Sequence, residues 1–446
     1  MKFYLESLGC AKNQVDSEDI IAQCEAANWQ WVDDPSLADL IIVNTCGFIE
    51  SARQEAIDTL LEFRQSYPQA KIIGAGCLSQ RYKNQLVNSL TEIDGFIGNR
   101  DLNGIPARIT HMLKNNLRAA SETFGEANKV YSCSSDFFRG RRLNQSHYAY
   151  VKIAEGCNHN CSYCAIPLIR GQLCSKPSEK ILNEIKQLSK EGVKEIILVA
   201  QDLFAYGKDL NGEVDFLTLL KKIFEIEGDF FVRLLYMHPD CFDMKLIEFM
   251  KSQPRLIPYL DLPLQHCDKK IVHAMNRRGD FETYLELINQ IRSSLPEITI
   301  RTTFLLGHPG ETNKSLKQLE SFIKEAQFDW AGFFIYSKEE GTKSFTQGSG
   351  IKNKIALAKA KKWLPKFQGL QNEITQNRLS RFLGQEIKII IEENVEGEAL
   401  CLGRAAFHAP DVDGLVVLHA SGLAVGAVVN VKITKVNFID LEAVLA

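Results

Sequence analysis

Residues 150–171 read YVKIAEGCNHNCSYCAIPLIRG. The apolar run 148–154 predicts a strand, and a helical region follows residue 164. Between them a short loop carries Cys157, Cys161 and Cys164 in a C-x3-C-x2-C spacing. Three thiolates on one tight loop suit three irons of a cubane and leave the fourth iron open. An open iron can be chelated by the amino and carboxylate groups of S-adenosylmethionine. The competing reading is a structural zinc site with His159 as fourth ligand, although such sites usually use four ligands in matched pairs. A cysteine loop between a strand and a helix sits at the mouth of a barrel, where strand C-termini gather ligands.

Working outward, further strands are expected at 195–200, 231–236, 259–263, 299–306 and 331–336. Helical periodicity fits 178–191, 216–226, 245–251, 281–294 and 314–326. These six strand–helix units predict an open (βα)6 barrel, an incomplete version of the eight-unit form. Upstream, strands at 2–8, 40–44, 71–75 and 95–98 alternate with helices at 16–27 and 51–65, and Asp16 and Ser17 read as N-caps. That pattern predicts a doubly wound parallel sheet. Downstream of a long helix at 352–382, residues 386–446 are rich in Val and Ile and punctuated by glycine, which predicts a small antiparallel barrel of about five strands. The expected division is 1–131, a linker at 132–147, 148–378 and 379–446. The linker is polar, and Arg139, Arg141 and Arg142 in it read as solvated, with anion binding as the alternative.

The parallel-sheet region carries a second constellation. Cys10, Cys46 and Cys77 each follow a predicted strand. Strand C-termini of such a sheet line one edge, where ligands bind, so the three cysteines should converge although far apart in sequence. Gly9, Gly47, Gly74 and Gly76 beside them would let backbone approach a cofactor. A second iron–sulfur cluster with an open iron is the expectation; three buried structural cysteines are the alternative. Cys24, Cys133, Cys174, Cys241, Cys267 and Cys401 read as structural or incidental.

Several polar residues at barrel strand ends could hold S-adenosylmethionine: Gln201 and Asp202, His238 and Asp240, Gln265 and His266, and Arg301. Each could equally be a satisfied core group, and His238 and His308 beside prolines could simply shape turns. Composition sets the outer limits. The 446 residues are 45% hydrophobic and 24% charged, ordinary for a multidomain globular chain. The net charge of −3 disfavours a protein that mainly wraps nucleic acid. No apolar run approaches the ~20 residues of a membrane span, and the opening MKFYLESLGC is no signal peptide. Twelve cysteines without an export signal point to metal or catalysis in a reducing, cytoplasmic setting.

The strings SLGCAKNQVDSE, IIVNTCGFIESA, AGCLSQRY, YVKIAEGCNHNCSYCAIPLIRG, YLDLPLQH, GHPGET and YSKEEGT together resemble the radical S-adenosylmethionine methylthiotransferase family over the whole chain. The resemblance implies a methylthiotransferase domain, a radical domain and a C-terminal TRAM barrel, in that order. VDSE, LLYMHPD, YLDLPLQH and APDVDG are similar to the RimO type, which modifies the β-carbon of an aspartate in small-subunit ribosomal protein twelve. The competing MiaB type modifies a tRNA adenosine. A rival of another class is an iron–sulfur RNA-binding or redox-sensing module.

The resemblance further implies two 4Fe–4S clusters, on Cys157, Cys161 and Cys164 and on Cys10, Cys46 and Cys77. The first would cleave S-adenosylmethionine and the second would carry the sulfur. Tyr163, Gln201, Asp202, Gln265 and Arg301 are the expected S-adenosylmethionine contacts, and an electron donor such as a flavodoxin is expected as a partner. There are two departures. Cys174-Ser175-Lys176 replaces a usual Arg-Ser-Arg, and His408 replaces a usual acidic residue. From 382 onward, four basic face nine acidic side chains. Such a barrel should attract a basic protein and repel a phosphate backbone.

Overall fold

In a computed structural model of the chain, the described residues are 1–118, 139–144, 146–210, 214–347 and 350–446, with residues 351 and 352 described by backbone only. Cys133 and half of the expected linker lie outside them.

The N-terminal region is a five-stranded parallel sheet in the order β2-β1-β3-β4-β5. Its strands are β1 (Lys2–Ser7), β2 (Gln30–Trp31), β3 (Leu40–Thr45), β4 (Lys71–Gly76) and β5 (Gly95–Ile97). Helices α1 (Ala11–Ala26), α2 (Glu50–Ser66), α3 (Cys77–Ser89) and α4 (Ile105–Lys114) cover it. Alternate residues of β3 feed opposite cores, Leu40 and Ile42 to one and Ile41 and Val43 to the other. This two-sided burial explains why the strand reads as a continuous apolar run.

The expected N-caps of α1 are corrected. The helix starts at Ala11 with Cys10 as its N-cap, so Asp16 and Ser17 sit buried mid-helix. Asp16 pairs with Lys152 and Arg170, and Ser17 Oγ bonds Ser7 Oγ at 2.8 Å. Their polarity serves buried contacts rather than a helix start.

The central region opens with β6 (Tyr148–Lys152), β7 (Ala154–Glu155), α5 (Ile166–Arg170) and β8 (Cys174–Ser175). Then follow α6 (Ser178–Lys190), β9 (Glu195–Val199), α7 (Phe216–Phe224), β10 (Phe231–Leu234), α8 (Lys245–Ser252), β11 (Tyr259–Asp261) and α9 (Lys269–Ala274). It ends with α10 (Phe281–Ser294), β12 (Thr299–Leu306), α11 (Asn313–Ala326), β13 (Trp330–Ile335), α12 (Lys343–Gln347) and α13 (Ile351–Leu379). Two parallel three-stranded sheets, β10-β9-β6 and β11-β12-β13, are linked where Val232 pairs with Leu256. Six parallel strands thus make the open barrel that the sequence predicts.

The C-terminal strands β14 (Glu386–Asn394), β15 (Cys401–Ala405), β16 (Val416–Leu418), β17 (Val428–Asn437) and β18 (Asp440–Leu445) close into a barrel. One pairing, β16 with β18, is parallel, so the barrel is not purely antiparallel. It packs against the inner face of the central strands: Tyr148, Tyr150, Ile197, Leu235 and Tyr259 share a core with Ile389, Val416, Val431 and Leu441. Under this seam, Glu195 pairs with Arg233 and with Arg404, both at 2.5 Å, and Arg404 also reaches Glu392 at 2.7 Å. Removing one member of such a buried set costs about 3–5 kcal/mol, because it strands the others.

One surface reading is corrected here, and one departure finds its place. Arg139 is not solvated: it is buried and pairs with Glu18 of α1 and Glu184 of α6, binding the N-terminal region to the central one. His408, the departure from a usual acidic residue, lies inside the seam. It is fully buried, edge-on to Trp330 at 5.4 Å, and burial holds it neutral.

Candidate functional site

The radical-type loop is built by short-range geometry. Gly156 has φ +71°, and a Cβ there would lie 2.0 Å from the Gln172 carbonyl oxygen, so only glycine fits. The Cys157 N–H donates to Gly171 O at 3.2 Å and the Cys164 N–H to Cys161 O at 3.0 Å. Ser162 anchors the loop from below: its N–H donates to Met275 O at 3.0 Å and its Oγ–H to Ala274 O at 2.7 Å. Cys157, Cys161 and Cys164 lie near enough to one another to interact electrostatically. Burial pushes the thiols of Cys157 and Cys164 up, to about 11 and about 12. Metal binding would displace those protons.

The second triad is built by topology. Cys10 N-caps α1 after β1, Cys77 begins α3 after β4, and Cys46 follows β3. Helix starts favour anionic sulfur. A Cβ on Gly9 would come within 2.9 Å of Cys46 Cβ and 3.3 Å of its Sγ. Gly76 (φ +94°) turns the chain where a Cβ would strike Asn44 Oδ1 at 2.2 Å. The glycines therefore permit close approach of protein to protein, since at Gly47 and Gly74 a Cβ would meet Leu78 and Phe96. Asn13 ties the loops together, its amide donating to Leu8 O at 2.6 Å and to Asn44 O and Thr45 O at 3.3 Å. Desolvation alone would push the Cys10 thiol up. The charges of Lys12 and Arg170, with the N–H groups of Asn13 and Lys12, outweigh it, and the net direction is down. Burial pushes Cys46 up and Cys77 to about 12.

Arg170, at the end of the helix that follows the loop triad, reaches the second triad. Arg170 Nη2 lies 3.3 Å from Cys77 Sγ, and its Nη1 lies 2.8 Å from Glu155 Oε2. Asn99 Nδ2 also approaches Cys77 Sγ, at 3.3 Å.

The donor sets fit a polynuclear group better than one ion. A single zinc about 2.3 Å from each sulfur would bring the sulfurs within about 4 Å of one another. Among the described residues, the one group that places three donor atoms within 4.8 Å is His159, His238 and Cys241, and it contains no member of either triad. His159 is already engaged, its Nε2 lying 2.6 Å from Asp202 Oδ2 and its ring stacked on His238 at 4.1 Å.

The expected S-adenosylmethionine contacts divide. Gln201 Nε2 donates to Glu155 Oε1 at 2.9 Å, leaving Gln201 Oε1 buried without a partner beside the cysteine loop. Among the described residues the side chain of Gln265 forms no hydrogen bond, and its backbone holds φ +70°. Tyr163 packs against Ile271, Met275, Leu305 and Tyr336. Asp202, by contrast, is saturated: it accepts from the N–H groups of His238 (3.0 Å) and Phe204 (3.1 Å) as well as facing His159. It braces the loop from behind. Arg301 stands near the start of β12 and faces Asp413 (3.2 Å) and Asp261 (3.6 Å), which joins it to the C-terminal barrel. Arg170, Asn13, Asn99, Glu155 and Arg277, whose buried guanidinium stands beside Cys161 and Tyr163, were not singled out by the sequence reading. The signal for Arg170 was its place in the PLIRG string closing the cysteine motif.

Three family models match in order: Uncharacterized protein family UPF0004 at residues 2–98, the Radical SAM superfamily at 151–323 and the TRAM domain at 383–445. The chain is 41% identical to the ribosomal protein uS12 methylthiotransferase RimO of Treponema denticola, over 98% of this chain and 99% of the relative. The protein of that name from Carboxydothermus hydrogenoformans is 39% identical over 99% of both. The chain belongs to the RimO methylthiotransferase family. Among solved structures, the radical S-adenosylmethionine methyltransferase TsrM of Kitasatospora setae shares the fold. It has a TM-score of 0.52 and 14% identity, over 74% of this chain and 72% of that one. As a RimO-family chain, it is a radical S-adenosylmethionine methylthiotransferase. No helix among its described residues is long and apolar enough to cross a membrane.

Proposed function

We infer that this enzyme methylthiolates the β-carbon of an aspartate in ribosomal protein uS12. The observation that carries the reading is a pair of separate cysteine triads joined through Arg170, which contacts Cys77 of one and Glu155, two residues before Cys157 of the other, in a chain aligned along its length with RimO relatives. An unactivated C–H bond offers no acid–base handle, so the cofactors carry the hard chemistry and the protein orients it. When bound, the cluster on Cys157, Cys161 and Cys164 supplies one-electron cleavage of S-adenosylmethionine, and the cluster on Cys10, Cys46 and Cys77 supplies the methylthio sulfur. Asp202 and His238 fix the loop through His159, and Gln201 Oε1 is a free acceptor for the S-adenosylmethionine ammonium. Gln265 and Tyr163 complete the proposed cofactor wall. Lys12 lies over the Tyr236 ring at 3.5 Å and keeps positive charge beside Cys10.

The acidic C-terminal barrel suits a basic ribosomal protein. A flavodoxin-type donor, a cytoplasmic setting and domain limits near residues 131, 147 and 378 belong to the same proposal. Mass spectrometry of uS12 from cells lacking this gene tests it. One aspartate should lose its methylthio increment and regain it on complementation, with tRNA adenosine modification unchanged. A retained increment, or a loss confined to tRNA, would overturn the assignment.

A further inference from the structure

Arg170 ends α5, six residues after Cys164, and belongs by connectivity to the radical-type loop. Its guanidinium, 2% exposed, nevertheless reaches the other triad. Nη2 lies 3.3 Å from Cys77 Sγ, 3.0 Å from Asn13 Oδ1 and 3.0 Å from Asp16 Oδ2, while Nη1 donates to Glu155 Oε2 at 2.8 Å. Glu155 stands two residues before Cys157 and accepts from Gln201. An unbroken polar chain therefore runs from Cys77 through Arg170 and Glu155 to the proposed S-adenosylmethionine wall.

Charge pairing alone does not require this arginine. Lys152 Nζ already contacts both Asp16 and Glu155, so the two buried carboxylates have a shared cation without it. What Arg170 adds is an N–H aimed at sulfur. Cys77 receives a second N–H from Asn99, whereas no described side chain donates to Cys46 Sγ. Hydrogen bonds and positive charge at cluster sulfurs stabilise the reduced state and raise its potential.

We propose that Arg170 is a positioning residue for the cluster held by Cys10, Cys46 and Cys77, raising its reduction potential through Cys77 and making that potential depend on the folded radical-type loop. The proposal rests on the reading that this triad holds a cluster.

The test uses the full chain with Cys157, Cys161 and Cys164 changed to alanine, so that one cluster remains. Iron content and midpoint potential, followed by EPR, are measured in this parent and with Arg170→Gln or Arg170→Lys added. Arg53→Gln serves as control, because Arg53 pairs with Glu339 across the same boundary and is not among the groups that bond Cys77. The expected result is about four irons per chain throughout. The potential should fall in the glutamine variant, fall less in the lysine variant and stay at the parent value in the control. Equal potentials in all four chains overturn the proposal while leaving the cluster reading intact. A parent without iron overturns the cluster reading itself. Should only the glutamine variant lose iron, the lysine variant decides: a lowered potential supports the proposal and an unchanged one overturns it.

Discussion

Cys157, Cys161 and Cys164 fall within eight residues of one loop, while Cys10, Cys46 and Cys77 are gathered across 68 residues by three strand ends. The two sites also rest on different floors. Beneath Ser162 of the triad loop lie uncharged polar groups, Ser344 Oγ (2.7 Å) and His308 Nε2 (3.4 Å), with Glu311 nearby accepting the Gly307 N–H, while a single guanidinium, Arg277, stands beside Cys161. Burial lowers His308 to about 4 and raises Glu311 to about 8, so both are neutral at pH 7. Beneath the assembled triad lies a network of acidic and basic side chains paired with one another, Asp16, Lys152, Glu155 and Arg170. A site made by local turns is robust to the rest of the fold but sensitive to its own backbone. A site made by topology is held by long-range packing and charge.

The largest test of this contrast is Cys161→Ala. It should abolish deoxyadenosine formation and remove one cluster's iron, leaving the other cluster at full occupancy. Retained S-adenosylmethionine cleavage would break the comparison. Next comes Gly156→Ala, which puts a methyl group against the Gln172 carbonyl at a positive φ. A displacement of this size should cut S-adenosylmethionine cleavage by about a hundredfold. EPR should find the Cys10, Cys46 and Cys77 cluster unaltered.

The floors should titrate with opposite signs. The Glu311 carboxyl sits above its unfolded value, so the folded state holds the extra proton, and its contribution is lost as pH rises from about 4.5 through about 8. Glu155 shifts the other way. Desolvation opposes its ionisation, but Arg170 and Lys152 outweigh it and hold it well below the usual carboxylate range. Its stabilising contribution is present above that range and is lost as pH falls. Glu311→Gln should therefore flatten the decline of Tm between about pH 5 and 8 and raise Tm by a few degrees at about pH 8.5. An identical pH profile for variant and parent would remove Glu311 from the account.

The smallest expected effect is electrostatic. Glu393, Glu396 and Glu398 are exposed, whereas Glu392 is bound to Arg404 and does not belong to the free acidic surface. Reversing the three exposed glutamates to lysine should slow association with uS12 several-fold at low salt. Surface charges are screened over about 8 Å at physiological ionic strength, so the difference should shrink as salt rises. Stopped-flow association across a salt series measures it, and equal rates at low salt would show that the barrel's charge plays no part.

Both triads were legible in the sequence, for different reasons. The loop triad needs only spacing, and the assembled one needs the further step that parallel strands end on one edge. The six-unit barrel and the closed C-terminal barrel were likewise readable from periodicity. What was not readable involves partners from other domains. Arg139 looked solvated because Glu18 and Glu184 lie far away in sequence. Asp16 and Ser17 looked like caps because buried polar residues and helix starts share a composition. His408 and Arg301 gained their roles only when the C-terminal barrel docked.

The central claim is that the two triads hold separate clusters with separate tasks, and Cys46→Ala tests it most directly. Deoxyadenosine and methylthiolated uS12 peptide are quantified by mass spectrometry in one reaction. The account predicts deoxyadenosine formation at or near the parent rate with no methylthiolated peptide. Methylthiolated peptide at the parent level, or loss of deoxyadenosine together with the product, would contradict it.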